Sequence, residues 1–243
     1  MDTAWEIAYD QFVLPASGKV WNGKPSEAGK TTFEVDENTG ALKSLCLDGE
    51  ELLASPVTIS LFRPATDNDN RDRMGAKLWR KAGLHTLTQK VVSLKESKTS
   101  ATAQVNILNV TGKKVGDATL EYTLNHNGSL KVQTTFQPDT TWVKSIARLG
   151  LTFEMNDTYG NVTYLGRGEH ETYIDRNQSG KIGIYTTTPE KMFHYYVIPQ
   201  STGNRTDVRW VKLADDSGKG CWIESDSPFQ FSALPFSDLL LEK

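Results

Sequence analysis

The feature that most constrains this sequence is a succession of short runs rich in β-branched and aromatic residues, separated by turn-forming Asn, Asp and Gly. Turns of this kind occur at Asn38-Thr-Gly40, Asp48-Gly49 and Asn125-His-Asn-Gly128, where Asn and Gly accept the positive φ that tight hairpins require. Short strands joined by such turns favour antiparallel sheets over a βαβ arrangement. The sequence therefore predicts an all-β fold, a large antiparallel β-sandwich.

One or two short helices are predicted to accompany the strands. Between Asp72 and Leu84, the residues Met74, Leu78 and Ala82 recur at helical spacing and are predicted to form the apolar face of a helix. A helical turn is predicted after Thr188, because a proline follows it at the first helical position. The predicted strands are Val57–Phe62, Ala103–Val110, Leu130–Phe136, Val162–Leu165, Lys181–Thr186, Asp207–Leu213, Gly220–Ile223 and Phe229–Ser232.

Charge and cysteine usage exclude several classes of protein. Lys and Arg number 27 and Asp and Glu 30, a net charge of −3, which argues against a nucleic-acid-binding protein. No apolar run is long enough to cross a membrane. The first residues lack a signal-peptide pattern, so a cytoplasmic location is slightly preferred and a periplasmic one stays open. Cys46 and Cys221 are too few for a disulfide framework, and the four histidines lack metal-ligand spacing, so no metal or cofactor is expected.

Three dense polar clusters carry the candidate chemistry, at residues 63–71, 166–176 and 199–210. One interpretation is a hydrogen-bonded network that fixes long loops, since buried polar groups need partners. The other is a sugar-binding surface. Glycosidase chemistry would need two carboxyls about 5–9 Å apart, which Glu169, Glu171 and Asp175 could supply. The candidate residues for either role are Arg63, Asp67, Asn68, Asp69, Arg167, Glu171, Arg205, Asp207 and Arg209.

The same three clusters carry a family resemblance. The run Leu61-Phe-Arg-Pro-Ala-Thr-Asp-Asn-Asp-Asn70 resembles the W-R-A-P-T-D-N-D signature of the C-terminal domain of family 2 β-galactosidases. Residues 164–176, YLGRGEHETYIDR, resemble Y-x-G-R-G-P-x-E-N-Y-x-D-R, and residues 197–210, VIPQSTGNRTDVRW, resemble V-x-P-Q-E-N-G-N-R-T-D-V-R-W. His170, Thr172 and Ser201-Thr202 depart from these patterns, whereas the Arg, Gly, Asp and Tyr positions match.

The resemblance implies a galactose-mutarotase-like supersandwich at residues 26–243, cut short at its C-terminus. Residues 1–25 would be a leading segment from the preceding linker domain. The parent would hydrolyse terminal β-D-galactosides with retention, using glutamates on an upstream barrel that this chain lacks. This domain would then be inactive alone, and would complete the active-site wall and the assembly of a homo-oligomer. The implied partners are the remaining domains and, through them, the galactoside. Any Mg or Na ions of the parent would bind elsewhere.

Two alternatives remain open at this stage, because fold does not settle function. One is a stand-alone carbohydrate-binding module without catalysis. The other is an aldose-epimerase-like enzyme, for which His170 with Glu169 or Glu171 is the local option.

Overall fold

The computed structural model describes residue 11, residues 29–71 and residues 75–242. The described chain forms three antiparallel sheets and two short α-helices, as expected for an all-β sandwich. The elements are β1 (Thr31–Val35), β2 (Leu42–Leu47), β3 (Glu50–Glu51), β4 (Leu53–Ser60), α1 (Gly75–Lys81), β5 (Leu87–Glu96), β6 (Ser100–Asn109), β7 (Lys114–Leu124), β8 (Leu130–Pro138), β9 (Gly150–Met155), β10 (Asn161–Gly168), β11 (Lys181–Thr187), α2 (Pro189–Met192), β12 (Arg205–Ala214) and β13 (Gly220–Phe231). Short 3₁₀ helices span Asp157–Tyr159 and Asp238–Glu242.

The larger hydrophobic core lies between the first two sheets. The first sheet has the order β1-β2-β4-β9, with β3 paired to β2, and the second has the order β5-β6-β7-β8. In β6, alternate residues Ala101, Ala103, Val105 and Ile107 are buried, which is the period-two pattern of a strand with one face in the core. They belong to one cluster with residues of the first sheet such as Leu42. This part of the chain is therefore a two-layer sandwich.

The third sheet has the order β11-β10-β12-β13 and a smaller core of its own. Its fully buried residues include Val162, Tyr164 and Val208, together with Met192 of α2. Phe229 and Phe231 of β13 pack against this cluster but remain partly exposed. The apolar face of the third sheet is thus covered less completely than the core of the first two sheets.

The hairpin turns predicted from Asn, Asp and Gly are confirmed. Asp48 has φ 54° and Gly49 has φ 84°, the pair of positive angles that a two-residue type I′ turn requires. Gly40 has φ 69°, and a Cβ there would lie 2.7 Å from the Cβ of Ala103. A larger residue at position 40 would therefore meet both backbone strain and a steric clash.

The predicted face of the first helix is wrong at Leu78, whereas Ala82, directly after the helix, is buried as predicted. Leu78 is 41% exposed, whereas the buried residues of α1 are Ala76 and Trp79. The indole of Trp79 donates a 3.1 Å hydrogen bond to Ser145 Oγ. Burial of this large ring and its hydrogen-bonded N–H decides which face of the helix packs against the sheets. The prediction used only the spacing of Met74, Leu78 and Ala82, so it could not identify that face. Met74 and the other residues 72–74 lie outside the described residues.

Two further predictions have definite outcomes. The helical turn after Thr188 is confirmed, since Thr188 caps α2 and Pro189 is its first residue. Gly220–Ile223 and Phe229–Ser232 were predicted as separate strands but belong to one strand, β13, whose pairing with β12 shifts register twice. The leading segment 1–25 lies outside the described residues except Gln11, whose side-chain amide exchanges two hydrogen bonds with the backbone of Ile182.

Candidate functional site

The first polar cluster is a loop closed by one bidentate ion pair. Arg63 Nη1 and Nη2 donate to the two carboxylate oxygens of Asp69 at 2.6 and 3.2 Å. The backbone N–H and hydroxyl of Thr66 donate to the same carboxylate at 2.9 and 2.7 Å. Burial disfavours the charged form, yet the bonds from Arg63 and Thr66 outweigh it and lower the pKa of Asp69. The Arg63 guanidinium also lies 5.4 Å from the centre of the Trp79 ring.

Asp67 and Asn68 behave differently from their neighbours. Both side chains are exposed at the tip of the loop, and no hydrogen bond joins either side chain to the part of the chain that the structure describes. These two residues therefore do not share the bonded arrangement of Arg63 and Asp69.

A second network joins β10 to the start of β12. Arg167 Nε donates to the carboxylate of Asp207, and its Nη1 donates to the backbone oxygen of Gly180 at 2.8 Å. Asp207 has φ 52°, a left-handed conformation at a register shift in the pairing of β12 with β13. Arg209 is exposed and donates to the backbone oxygen of Asp207. The network thus holds a local distortion of β12 in place.

Arg205 is the most deeply buried charged residue of the candidate set, at 3% exposed. Its Nε donates to Tyr164 Oη at 2.8 Å, and its Nη2 donates to the backbone oxygen of Glu169 at 2.9 Å. Its Nη1 donates to the backbone oxygens of Gly203 and Asn204 at 3.1 and 3.2 Å. A guanidinium bound in this way to carbonyls of two loops acts as a structural cross-link.

Glu171 is the centre of the remaining network. Its carboxylate accepts hydrogen bonds from Tyr196 Oη, from Arg176 Nη2 at 2.6 Å, from the Gly203 N–H at 2.9 Å and from Thr202 Oγ1 at 3.3 Å. Burial opposes the charge, but these donors prevail and lower the pKa of Glu171. The side chain is 10% exposed. In its ionised form, Glu171 therefore links residues 170–176 to residues 193–203 through hydrogen bonds.

A buried pair of threonines continues this connection. Thr172 is fully buried, and its hydroxyl oxygen accepts from the N–H and hydroxyl of Thr206 at 3.0 and 2.9 Å. The Asn204 amide nitrogen donates to the Thr172 backbone oxygen at 2.8 Å and to Gln230 Oε1 at 2.9 Å. These bonds join residues 170–176 to β12 and β13. Sequence reasoning did not select Thr172, Asn204 or Tyr196 as site residues, although Thr172 and Asn204 lie inside the polar clusters and Tyr196 directly precedes the third motif.

The structure brings part of the candidate set to one open cleft of about 2420 Å³. Its lining includes the first loop, strand β9 of the first sheet, and residues of the third sheet such as the partly exposed Phe229 and Phe231. The candidates that line the cleft are Arg63, Asp67, Asn68, Asp69 and Asp207. The candidates outside its lining are Arg167, Glu171, Arg205 and Arg209.

The state of Glu171 does not favour it as the acid of a glycosidase. A glycosidase acid needs a raised pKa so that it carries a proton near neutral pH, whereas the pKa of Glu171 is lowered. For the epimerase alternative, His170 is exposed and its Nε2 lies 2.8 Å from Ser179 Oγ, while the partners of Glu171 are on residues 176–203. His170 and Glu171 therefore do not form a hydrogen-bonded pair.

Metal binding and nucleophilic catalysis by a thiol find no support among the described residues. These residues contain no group of three or more His, Cys, Asp or Glu side chains able to hold a metal ion. Burial raises the pKa of the Cys221 thiol to about 11, which disfavours the thiolate needed for nucleophilic catalysis. No helix in the part of the chain that the structure describes is long and apolar enough to cross a membrane.

Comparison with known proteins identifies the source of these motifs. The chain is 31% identical to a beta-galactosidase of Priestia megaterium, over 99% of this chain and 25% of the relative. It is 28% identical to beta-galactosidase BgaC of Bifidobacterium adolescentis, over 97% of this chain and 23% of the relative. It is also 28% identical to a beta-galactosidase of Kluyveromyces lactis, over 93% of this chain and 24% of the relative.

The chain spans about a quarter of the length of these curated relatives, so their chains carry further domains. The family model described as the beta galactosidase small chain matches residues 27–243, nearly the whole sequence and all three polar clusters. The match agrees with the all-β sandwich of the described residues. This chain therefore belongs to the beta galactosidase small chain family.

Proposed function

We propose that this chain is a C-terminal domain of a larger retaining β-galactosidase whose catalytic carboxyls lie on other domains. The single observation that carries this proposal is the state of Glu171, which is held as a carboxylate by four donors inside the motif that matches the family. A carboxylate held by four hydrogen-bond donors stabilises the structure of the domain and is poorly suited to transferring a proton.

In the parent, this domain would form one wall of the substrate pocket and contribute to assembly of a homo-oligomer. The cleft beside the Arg63 loop supports this role, because ligand sites are commonly clefts. Asp67 and Asn68 are the candidates for sugar contact there, since they line the cleft and are exposed. The other candidate residues serve as structural cross-links. The Mg or Na ions expected of the parent would belong to its other domains.

The experiment is an assay of the isolated chain with an aryl β-galactoside, beside the full-length parent. We expect hydrolysis by the parent and none above buffer background by the isolated chain. Turnover by the isolated chain that survives repurification and is lost in Glu171→Gln would contradict the proposal. A parent that keeps its full activity after deletion of this domain would contradict the role in the pocket wall.

A further inference from the structure

Strand β9 is an edge strand that opens onto the cleft. Within the described residues it pairs only with β4, so the N–H and C=O groups of alternate residues point away from β4. All six residues of the strand, Gly150–Met155, line the cleft. The backbone of one strand therefore presents hydrogen-bond donors and acceptors along the wall of the cleft.

The side chains on the core side of β9 are covered incompletely. Leu151 pairs with Ile59, which is 4% exposed, and directly paired residues share one face of a sheet. Phe153, two positions further along β9, packs against the larger hydrophobic core. Leu151 is nevertheless 40% exposed, because no described strand lies beyond β9 in this sheet. The core side of the first sheet thus ends in an apolar row that is open to the cleft.

The third sheet presents apolar surface to the same cleft. Phe229 and Phe231 of β13 pack against the smaller hydrophobic core, line the cleft and remain partly exposed. The larger and the smaller core are separate clusters, and both reach the cleft through incompletely buried side chains. The apolar side chains of a segment lying in the cleft along β9 would therefore cover both cores.

Strand β9 lacks the features that protect the edges of the second sheet. Edge strand β5 carries Lys90 and Lys95, and its extra residue Val92 lies at a register shift. Edge strand β8 carries Lys131 and ends in Pro138. Lysine, proline and bulges hinder pairing with another strand. The sequence of β9, GLTFEM, contains no lysine or proline, and the register shifts of its pairing add residues on the β4 side.

We propose that β9 is an acceptor for a further β-strand, an extended polypeptide segment with alternating apolar and polar residues that adds to the first sheet inside the cleft. Backbone hydrogen bonds to β9 supply the affinity, and the apolar side chains of the segment cover Leu151, Phe229 and Phe231. A strand of about six residues is about 20 Å long and fills roughly 2000 Å³ at the usual strand and sheet spacings. The cleft, at about 2420 Å³, holds one such strand.

A single segment fits the cleft better than a second copy of this chain does. A second copy that paired through its own β9 would bring β4 and β2 with it, and several strands need a multiple of that volume. The chain spans about a quarter of the length of its curated relatives, which leaves long stretches of polypeptide outside it. The donor segment then belongs to the larger parent protein. That assignment rests on the proposed function, whereas the acceptor strand is a property of this chain.

The test is amide hydrogen exchange of the intact chain, followed residue by residue by NMR, in the presence of the synthetic peptide KTVTVTVK. The control peptide KTTTVVVK has the same composition without the alternation. We expect KTVTVTVK to bind saturably and to slow the exchange of the β9 N–H groups that point away from β4. It should leave the exchange of edge strand β5 unchanged, and KTTTVVVK should protect neither strand.

Two lysine substitutions test the position of the site. Leu151→Lys should weaken binding of KTVTVTVK by about tenfold or more, because the added strand would desolvate a charge on the core side of β9. Val92→Lys, at a 62% exposed position on β5, is the matched control and should bind the peptide as the unchanged chain does. Leu151→Thr, which removes apolar surface without adding charge, should weaken binding by less and serves if Leu151→Lys does not fold.

Absence of saturable binding by KTVTVTVK, equal binding by KTTTVVVK, or protection centred on β5 would overturn the proposal, whether or not the variants fold. Protection of β9 that appears only as the chain dimerises, and that the peptide does not displace, would assign the edge to a second copy and would also overturn it. Hydrolysis of an aryl β-galactoside by the isolated chain would contradict the proposed function but would not change peptide binding, so the two proposals fail separately.

Discussion

At Glu171, burial and hydrogen bonding act on one carboxylate in opposite directions. Hydrogen bonds from Tyr196, Arg176 and the Gly203 N–H prevail, and the pKa falls below the ordinary value of 4.5. A carboxyl whose pKa is lower in the folded state stabilises the fold above its unfolded pKa, and this contribution is lost as the pH falls through the folded pKa. The network therefore predicts a stability difference that depends on pH.

We expect Glu171→Gln to lower the free energy of unfolding by about 2–3 kcal/mol near pH 7, because the donors lose a charged acceptor. The difference from the unchanged chain should shrink as the pH falls below about 4.5, where the carboxyl of the unfolded chain takes up a proton, and should be lost below the lowered pKa of folded Glu171. Urea unfolding at several pH values measures both effects. Glu37→Gln, at an exposed position, is the control. A pH-independent difference would contradict the assignment.

Asp207 combines an ion pair with a left-handed backbone, and two substitutions separate them. Asn tolerates positive φ but cannot pair ionically with Arg167, whereas Ala loses both properties. Both side chains of the pair are partly exposed, so the ionic contribution is smaller than that of a fully buried pair. We expect Asp207→Ala to be less stable than Asp207→Asn by about 1–2 kcal/mol, the cost of left-handed backbone.

For a chain of this size, that gap corresponds to a difference in melting temperature of roughly 2–8 °C between the two variants. Calorimetry or circular dichroism melts measure it. Equal melting temperatures for Asp207→Ala and Asp207→Asn would show that the backbone at position 207 relaxes. If both variants melted at the same temperature as the unchanged chain, Asp207 would instead be a candidate ligand contact.

At the scale of elements, several strands could be predicted because they depend on local sequence, whereas β1, β2, β3, β5, β7 and β9 were not among the predicted strands. Runs such as Ala103–Val110 alternate between core and solvent, and Asp48-Gly49 specifies its hairpin by backbone preference alone. The two halves of β13 could not be joined from sequence, because Glu224–Pro228 between them is polar and ends in proline. The register shifts against β12 accommodate that segment, and pairing with a distant strand decides its structure.

Helix α1 offers a direct test of which face packs. Trp79 is 5% exposed, and its indole bonds to Ser145, whereas Leu78 is 41% exposed. We expect Trp79→Ala to cost about 3–5 kcal/mol, the usual range for deleting a buried aromatic side chain. Leu78→Ala should change stability by less than about 0.5 kcal/mol. Denaturant unfolding of both variants measures this, and the reverse order would restore the helix face predicted from the sequence.

At the scale of the whole molecule, the polar clusters could be recognised from the sequence. Which of their residues are structural cross-links and which could contact a ligand could not. Arg63 and Asp69 lie in one loop, so their pairing is local and follows from a motif. The contact of Arg205 with Tyr164 joins residues on neighbouring strands, and the carboxylate of Glu171 reaches Gly203 across two loops. Such partners are set by tertiary packing, so the sequence left open whether each residue was a structural cross-link or a ligand contact.

The cleft leads to a prediction about association. Within the described residues β9 pairs with β4 and ends its sheet, and an unpaired strand edge can accept another chain. Leu239 and Leu240 are 43% and 52% exposed on the 3₁₀ helix that the Arg148–Asp238 ion pair holds beside the cleft. Apolar surface of this kind favours association. We expect the isolated chain to self-associate with rising concentration.

Light scattering over a range of concentrations measures this association. The double substitution Leu239→Ser and Leu240→Ser should shift the chain towards monomer, because it removes apolar surface without touching the buried core. Val92→Ser, at a 62% exposed position on β5, is the control and should leave the association unchanged. A monodisperse monomer at every concentration would show that the chain covers these surfaces itself. Equal effects of the two sets of variants would place the contact away from the cleft.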